Sequence, residues 1–123
     1  MGEGRRILVV DDDSAVLDWL QAKLGTRYEL FSTHSPRAVL AMARKVKPHL
    51  ILCDVDMPGM DGGDVSAALY GDDELRHIPL LFLTAVASPE AIESLAGQLG
   101  GRPAISKFAP LEQLLSRVAS LVA

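Results

Sequence analysis

Apolar positions along the chain alternate between two rhythms. Short runs, "RILVV" (6–10), "YELFST" (28–33), "HLILCDV" (49–55), "IPLLFLTA" (78–85) and "AIS" (104–106), read as strands. Between them, apolar residues recur at helical spacing. Val16, Leu17, Leu20 and Leu24 form one face of a first helix, which Ser14 can cap and Gly25 ends. Val39, Leu40, Ala43 and Val46 form one face of a second, opened by Ser35-Pro36 and ended by Pro48. A third helix is expected over Gly63 to Gly71. Pro89 opens a fourth, expected to end near Gly97 to Gly101. Pro110 starts the last, with Leu111, Leu114, Leu115, Val118 and Leu121 on its apolar side.

Five strand–helix units in strict alternation, with strands apolar almost throughout, predict a parallel sheet covered on both faces. Right-handed crossovers then give a doubly wound, five-stranded parallel α/β sheet with five helices, a single flavodoxin-like domain. Residues 1–5 read as a flexible N-terminal tail and residues 6–123 as the domain.

Composition narrows the function classes. A length of 123 residues suits one domain, and 49% hydrophobic content supplies a core. A formal net charge of -4 argues against a general nucleic-acid binder. The one cysteine, Cys53, excludes an internal disulfide and a multi-cysteine zinc site; a small buried hydrophobe is its expected role. His34, His49 and His77 have no metal-ligand spacing and are expected at the surface or at strand edges. No apolar run approaches the roughly 18 residues of a membrane span. The start, "MGEGRR", lacks a signal peptide's apolar centre, so a cytoplasmic protein is expected.

In a doubly wound sheet, ligands bind at the carboxyl ends of the strands, near the switch in strand order. The residues expected there are Asp11, Asp12 and Asp13 after the first strand, Asp54 and Asp56 after the third, Thr84 after the fourth and Lys107 after the fifth. Carboxylates crowded in one crevice must take up protons or recruit a cation. Oxygen-only donors suit a hard ion such as Mg2+. Lysine supplies a compact positive charge for a phosphoryl group, and a threonine hydroxyl supplies a hydrogen bond. A carboxylate can itself be the nucleophile that becomes an aspartyl phosphate.

The segments "ILVVDDD" (7–13), "PHLILCDVDMPGMDG" (48–62), "IPLLFLTA" (78–85) and "ISKF" (105–108) occur in this order, each at the end of its strand. With them the chain resembles, over nearly all its length, the receiver domain of two-component response regulators. The resemblance implies that Asp54 accepts a phosphoryl group from a phosphohistidine on a sensor histidine kinase or a histidine phosphotransfer protein. It implies that Asp11, Asp12, Asp54 and the backbone carbonyl of Asp56 form the Mg2+ site, with Asp12 direct and Asp11 partly through water. Thr84 and Lys107 would contact the phosphoryl oxygens. Phosphorylation would bias a two-state domain and so regulate a downstream protein or an output domain lying outside this chain. No contact with nucleic acid or membrane is implied. A homodimer through the fourth helix, fifth strand and fifth helix is a family habit.

The bland readings are weaker. Asp54 could cap a helix, but "MPGMDG" delays the next one. Capping the first helix is the rival role for Asp11 and Asp12, and Asp13 or Ser14 can fill it. Thr84 and Lys107 taken singly would be an ordinary strand residue and a surface lysine. A haloacid-dehalogenase-like phosphatase would also use an Asp-x-Asp pair, here Asp54 and Asp56, but that pair normally ends the first strand. A degenerate receiver that only docks a partner is the third reading. It draws on two departures from the family pattern: Phe108 follows Lys107 where proline is usual, often after a cis bond, and Ala104 stands where an aromatic switch residue is common.

Overall fold

The structure, a computed structural model, describes residues 4–122. Met1, Gly2 and Glu3, most of the expected tail, and Ala123 lie outside the described residues. Among the described residues, six strands and five α-helices follow in the order β1 (Arg6–Val10), α1 (Ser14–Leu24), β2 (Glu29–Thr33), α2 (Val39–Val46), β3 (Leu50–Asp54), α3 (Gly62–Tyr70), β4 (Leu80–Thr84), α4 (Pro89–Ser94), β5 (Gln98–Leu99), β6 (Arg102–Ser106) and α5 (Leu111–Val122). A 3-10 turn, Pro36–Ala38, leads into α2.

The helix starts are set by side chains. Asp13, not Ser14, caps α1: it is extended, and its carboxylate accepts the Ala15 N–H at 2.9 Å. Asp61 and Asp64 form a reciprocal capping box on α3 at 2.9 and 3.1 Å, so that helix begins at Gly62.

The sheet order is β2-β1-β3-β4-β6-β5. All pairs are parallel except β5–β6. The sixth strand corrects the expected count of five. The fourth helix stops at Ser94, short of Gly97 to Gly101, because Ala96 and Gly97 both turn left-handed at φ 60° and 72°. The chain then forms a hairpin: Gln98 pairs Pro103, Leu99 pairs Arg102, and Gly100-Gly101 makes the turn with φ 56° and 79°. Two consecutive positive φ values are what a type I′ two-residue hairpin requires, and Gly-Gly meets it without a Cβ penalty. The Gly-Gly pair, read as a helix end, is a hairpin turn.

Alternate strand residues face opposite layers. Leu8, Val10, Ile51, Cys53, Leu80 and Phe82 pack toward α2, α3 and α4. Ile7, Val9, Leu50, Leu52, Leu81 and Leu83 pack toward α1 and α5. Strands buried on both faces explain why they read as continuous apolar runs. Cys53 is fully buried among the apolar residues of the first layer, and burial pushes its thiol up to about 12.

Strand order reverses between β1 and β3: the chain steps outward from β1 to β2, then crosses back to β3. That makes the crevice beyond the carboxyl ends of β1 and β3 the switch point. Gly62 sits against the end of β3. A Cβ there would lie 2.6 Å from the Asp54 carbonyl oxygen and 2.8 Å from the Val55 Cα, so only glycine lets α3 approach this closely.

Candidate functional site

Register assembles the site. Val10 pairs Cys53 across β1 and β3, so the next residues, Asp11 and Asp54, leave adjacent strands side by side. Asp54 pairs Leu83 on β4, and Thr84 pairs Ser106 on β6, which brings Thr84 and Lys107 to the same edge. The Lys107 N–H is tied to the Thr84 carbonyl at 2.7 Å.

Asp11 and Asp54 are buried, with Asp12 exposed at the rim. One carboxylate oxygen from each of the three lies within 4.8 Å of the others. The Lys107 ammonium stands between the two buried acids, 2.8 Å from Asp11 Oδ2 and 3.4 Å from Asp54 Oδ1. Burial raises the Asp54 carboxyl to about 6, and the neighbouring Asp11 charge adds to the rise. The Lys107 charge and hydrogen bonds from the Asp56 N–H and Lys107 offset part of it. Burial pulls Lys107 down, but its hydrogen bond to Asp11 and the charges of Asp11 and Asp54 outweigh that and hold it above its ordinary value. Of the three clustered carboxylates, two thus share one ammonium. The donors are all oxygen, and the excess negative charge is of the kind a hard divalent cation balances.

The remaining candidates occupy distinct positions. The Asp56 N–H lies 3.4 Å from Asp54 Oδ1, while its side chain is exposed and outside the three-acid group. Asp13 is spent on capping α1. Thr84 is fully buried, and its hydroxyl accepts the Val86 N–H at 3.0 Å. The described residues contain no cis peptide, so Lys107–Phe108 is trans, and Lys107 reaches both acids by that path. Phe108 is 68% exposed. Ala104 is fully buried in β6, its N–H bonded to the Gly97 carbonyl and its carbonyl accepting from Arg117 at 3.3 Å.

Two contributors escaped the sequence reading. Ser106 Oγ accepts the Phe108 N–H at 3.1 Å and so fixes the turn that aims Lys107. His49 serves at the opposite sheet edge: its Nδ1 accepts the Arg6 N–H at 3.0 Å, in place of a strand carbonyl. Ser106 carried a weak signal, a hydroxyl residue just before a loop; His49 carried none, because the pairing it supports is long-range.

Acids crowded with one lysine at the switch point of a doubly wound sheet define a receiver-type signalling domain. The chain belongs to the response regulator receiver domain family, which it matches over residues 7–119. It is similar to the response regulator PleD of Caulobacter vibrioides, 49% identical over 83 residues, 66% of this chain and 18% of that protein. It is also similar to the polar-differentiation response regulator DivK of Brucella anthropi, 33% identical over 84 residues, 68% of each chain. The chain thus spans under a fifth of PleD. Among solved structures, the chemotaxis protein CheY4 of Vibrio cholerae superposes with a TM-score of 0.78 at 28% identity, over 95% of this chain and 98% of that one. The BeF3-activated N-terminal receiver domain of Klebsiella pneumoniae RstA gives 0.80 at 28% identity, over 96% and 98%. The chain is therefore a phosphoacceptor receiver domain of two-component signalling. No helix among the described residues is long and apolar enough to cross a membrane.

Proposed function

We propose that residues 6–123 act as one receiver unit in which Asp54 is the phosphoacceptor. The observation that carries this is the Lys107 ammonium held between Asp11 and Asp54, with Asp12 beside them. An Asp54 carboxylate oxygen attacks the phosphorus of a phosphohistidine; the new O–P bond forms as the N–P bond breaks, and the imidazole leaves. Asp11, Asp12, Asp54 and the Asp56 carbonyl would hold Mg2+, which supplies charge neutralisation of the phosphoryl oxygens when bound. Lys107 then exchanges part of its pairing with Asp54 for a phosphoryl oxygen. The Thr84 hydroxyl, which accepts from Val86, keeps its own proton to donate to another.

The phosphoryl donor is a sensor histidine kinase or a histidine phosphotransfer protein in the cytoplasm, and the regulated target is a downstream protein or an attached output domain. With alanine at 104, the signal leaves through backbone: the Thr84 carbonyl to Lys107 bond links the ends of β4 and β6, and α4 and α5 follow those strands. If the chain dimerises through α4, β6 and α5, the β5 hairpin is part of that face. The domain catalyses only its own phosphorylation and dephosphorylation. The convergence of Asp11 and Asp54 on Lys107, with Asp12 beside them, favours this over a docking-only receiver, and the position of Asp54 and Asp56 at the end of β3 favours it over a phosphatase.

Incubation with acetyl phosphate and Mg2+ is expected to label the chain slowly and up to one phosphoryl group per chain. Asp54→Asn is expected to abolish labelling. Full labelling of that variant would overturn the site, and rapid multiple turnover of a phosphate monoester would overturn the receiver reading.

A further inference from the structure

The amino edge of the sheet, on the far side from Asp54, carries a concavity that phosphoryl transfer does not use. The starts of β1, β3 and β4, the carboxyl end of α2, the segment after α3 and the last turn of α5 surround about 660 Å³. That falls within the roughly 300–1,000 Å³ of small-molecule sites, which pair an apolar lining with a few polar groups. The lining here has both. Ala43, Leu75, Ile78 and Val122 are buried and apolar, and Arg5, Lys47 and two histidines, His49 and His77, supply the polar part.

The charges in this wall are not all spent. Arg44 is committed to Asp72, and Asp73 to Arg76. Arg5 and Lys47 make no ion pair among the described residues, and Glu74 is the one lining acid without one. His49 is fixed in orientation: with Nδ1 accepting the Arg6 N–H, the neutral ring carries its proton on Nε2 and has a donor to offer. The carboxyl end of α2 would ordinarily repel an anion. Here its last carbonyls, those of Val46 and Lys47, accept from the Arg6 guanidinium at 2.9 Å each, which cancels that repulsion.

We propose that this amino-edge cavity binds a small organic oxyanion, a phosphate or carboxylate on an apolar or planar body. Arg5 and Lys47 hold the charged head, with the His49 Nε2–H as a neutral donor. The body lies on Leu75, Ile78 and Val122. The proposal does not depend on the phosphoacceptor reading, since none of these residues belongs to the acidic site.

The test is an NMR titration of 15N-labelled protein with AMP and with benzoate, which distinguish a phosphate head from a carboxylate. Inorganic phosphate and adenosine serve as controls. Saturable shifts at Arg5, Lys47, His49 and His77 are expected with at least one of the two anions, at lower concentration than with inorganic phosphate. Arg5→Gln and Lys47→Gln are each expected to weaken binding about tenfold, as loss of a charge-assisted hydrogen bond does, with labelling at Asp54 unchanged as the check on folding. Three outcomes overturn the proposal: neither anion shifts these residues, the shifts survive the double variant, or inorganic phosphate alone matches the organic anions. Shifts confined to Asp11, Asp54 and Lys107 would place the anion in the acidic site and overturn it as well.

Discussion

At the scale of single residues, neighbouring acids of the same type are separated by their surroundings. Asp11, Asp12 and Asp13 are consecutive, yet Asp11 is buried against Lys107, Asp12 stands at the rim of the acid cluster and Asp13 caps α1. Asp12→Ala is therefore expected to weaken Mg2+ binding at least tenfold, while Asp13→Ala costs about 1 kcal/mol of stability and little affinity. Isothermal titration with Mg2+ and urea melts separate the two, and equal losses of affinity would contradict the assignment. Asp54 makes a second expectation. Its carboxyl is raised to about 6 in the fold, against about 3.9 in the unfolded chain. Below the lower value both states are protonated and the group has no effect. Between the two the native state holds a proton that the unfolded chain has released, so stability falls as pH rises toward 6 and is level above it. The cost is on the order of 2–3 kcal/mol at neutral pH without metal. Urea melts in EDTA are expected to show that decline in the wild type, and Asn at 54 to remove most of it.

Elements were legible to different degrees. The five parallel strands and the helices α1, α2 and α5 follow from apolar periodicity, since each buries a face or two faces. The stretch after Pro89 reads as a longer helix than the chain forms: Leu95 and Leu99 sit at helical spacing, but Ala96 and Gly97 leave the helical region. Backbone pairing with β6 outweighs a local helical preference there. Ala96 takes a left-handed conformation costing an L-residue about 1–2 kcal/mol. Ala96→Gly is accordingly expected to stabilise the protein by about 1 kcal/mol, read from the urea midpoint at constant slope. No gain would mean that the turn is not held left-handed.

For the whole molecule, the sheet is sandwiched between two apolar layers, and Cys53 lies deep in one of them beside Asp54. Cys53 is fully buried on the central strand, so its thiol is expected to be inert to an aromatic disulfide reagent at pH 8 for hours. It should react fully once urea unfolds the chain. Rapid reaction of the native protein would show that β3 opens locally.

The sequence by itself determined the alternation of elements, the parallel sheet and the list of strand-end residues, because hydrophobic period and turn chemistry are local properties. It also marked Asp54, since an apolar run that ends on an acid and then delays its helix is visible in thirteen consecutive letters. Only the tertiary structure decided which acids meet. Strand order and register bring Asp11, 43 positions from Asp54, to its side, and let Lys107 reach both through a trans peptide. It also decided the fate of Gly100-Gly101, whose turn type depends on a pairing partner further along the chain, and the role of His49, whose ring completes a ladder begun by Arg6. Those outcomes depend on contacts between residues distant in sequence, and no local pattern encodes them.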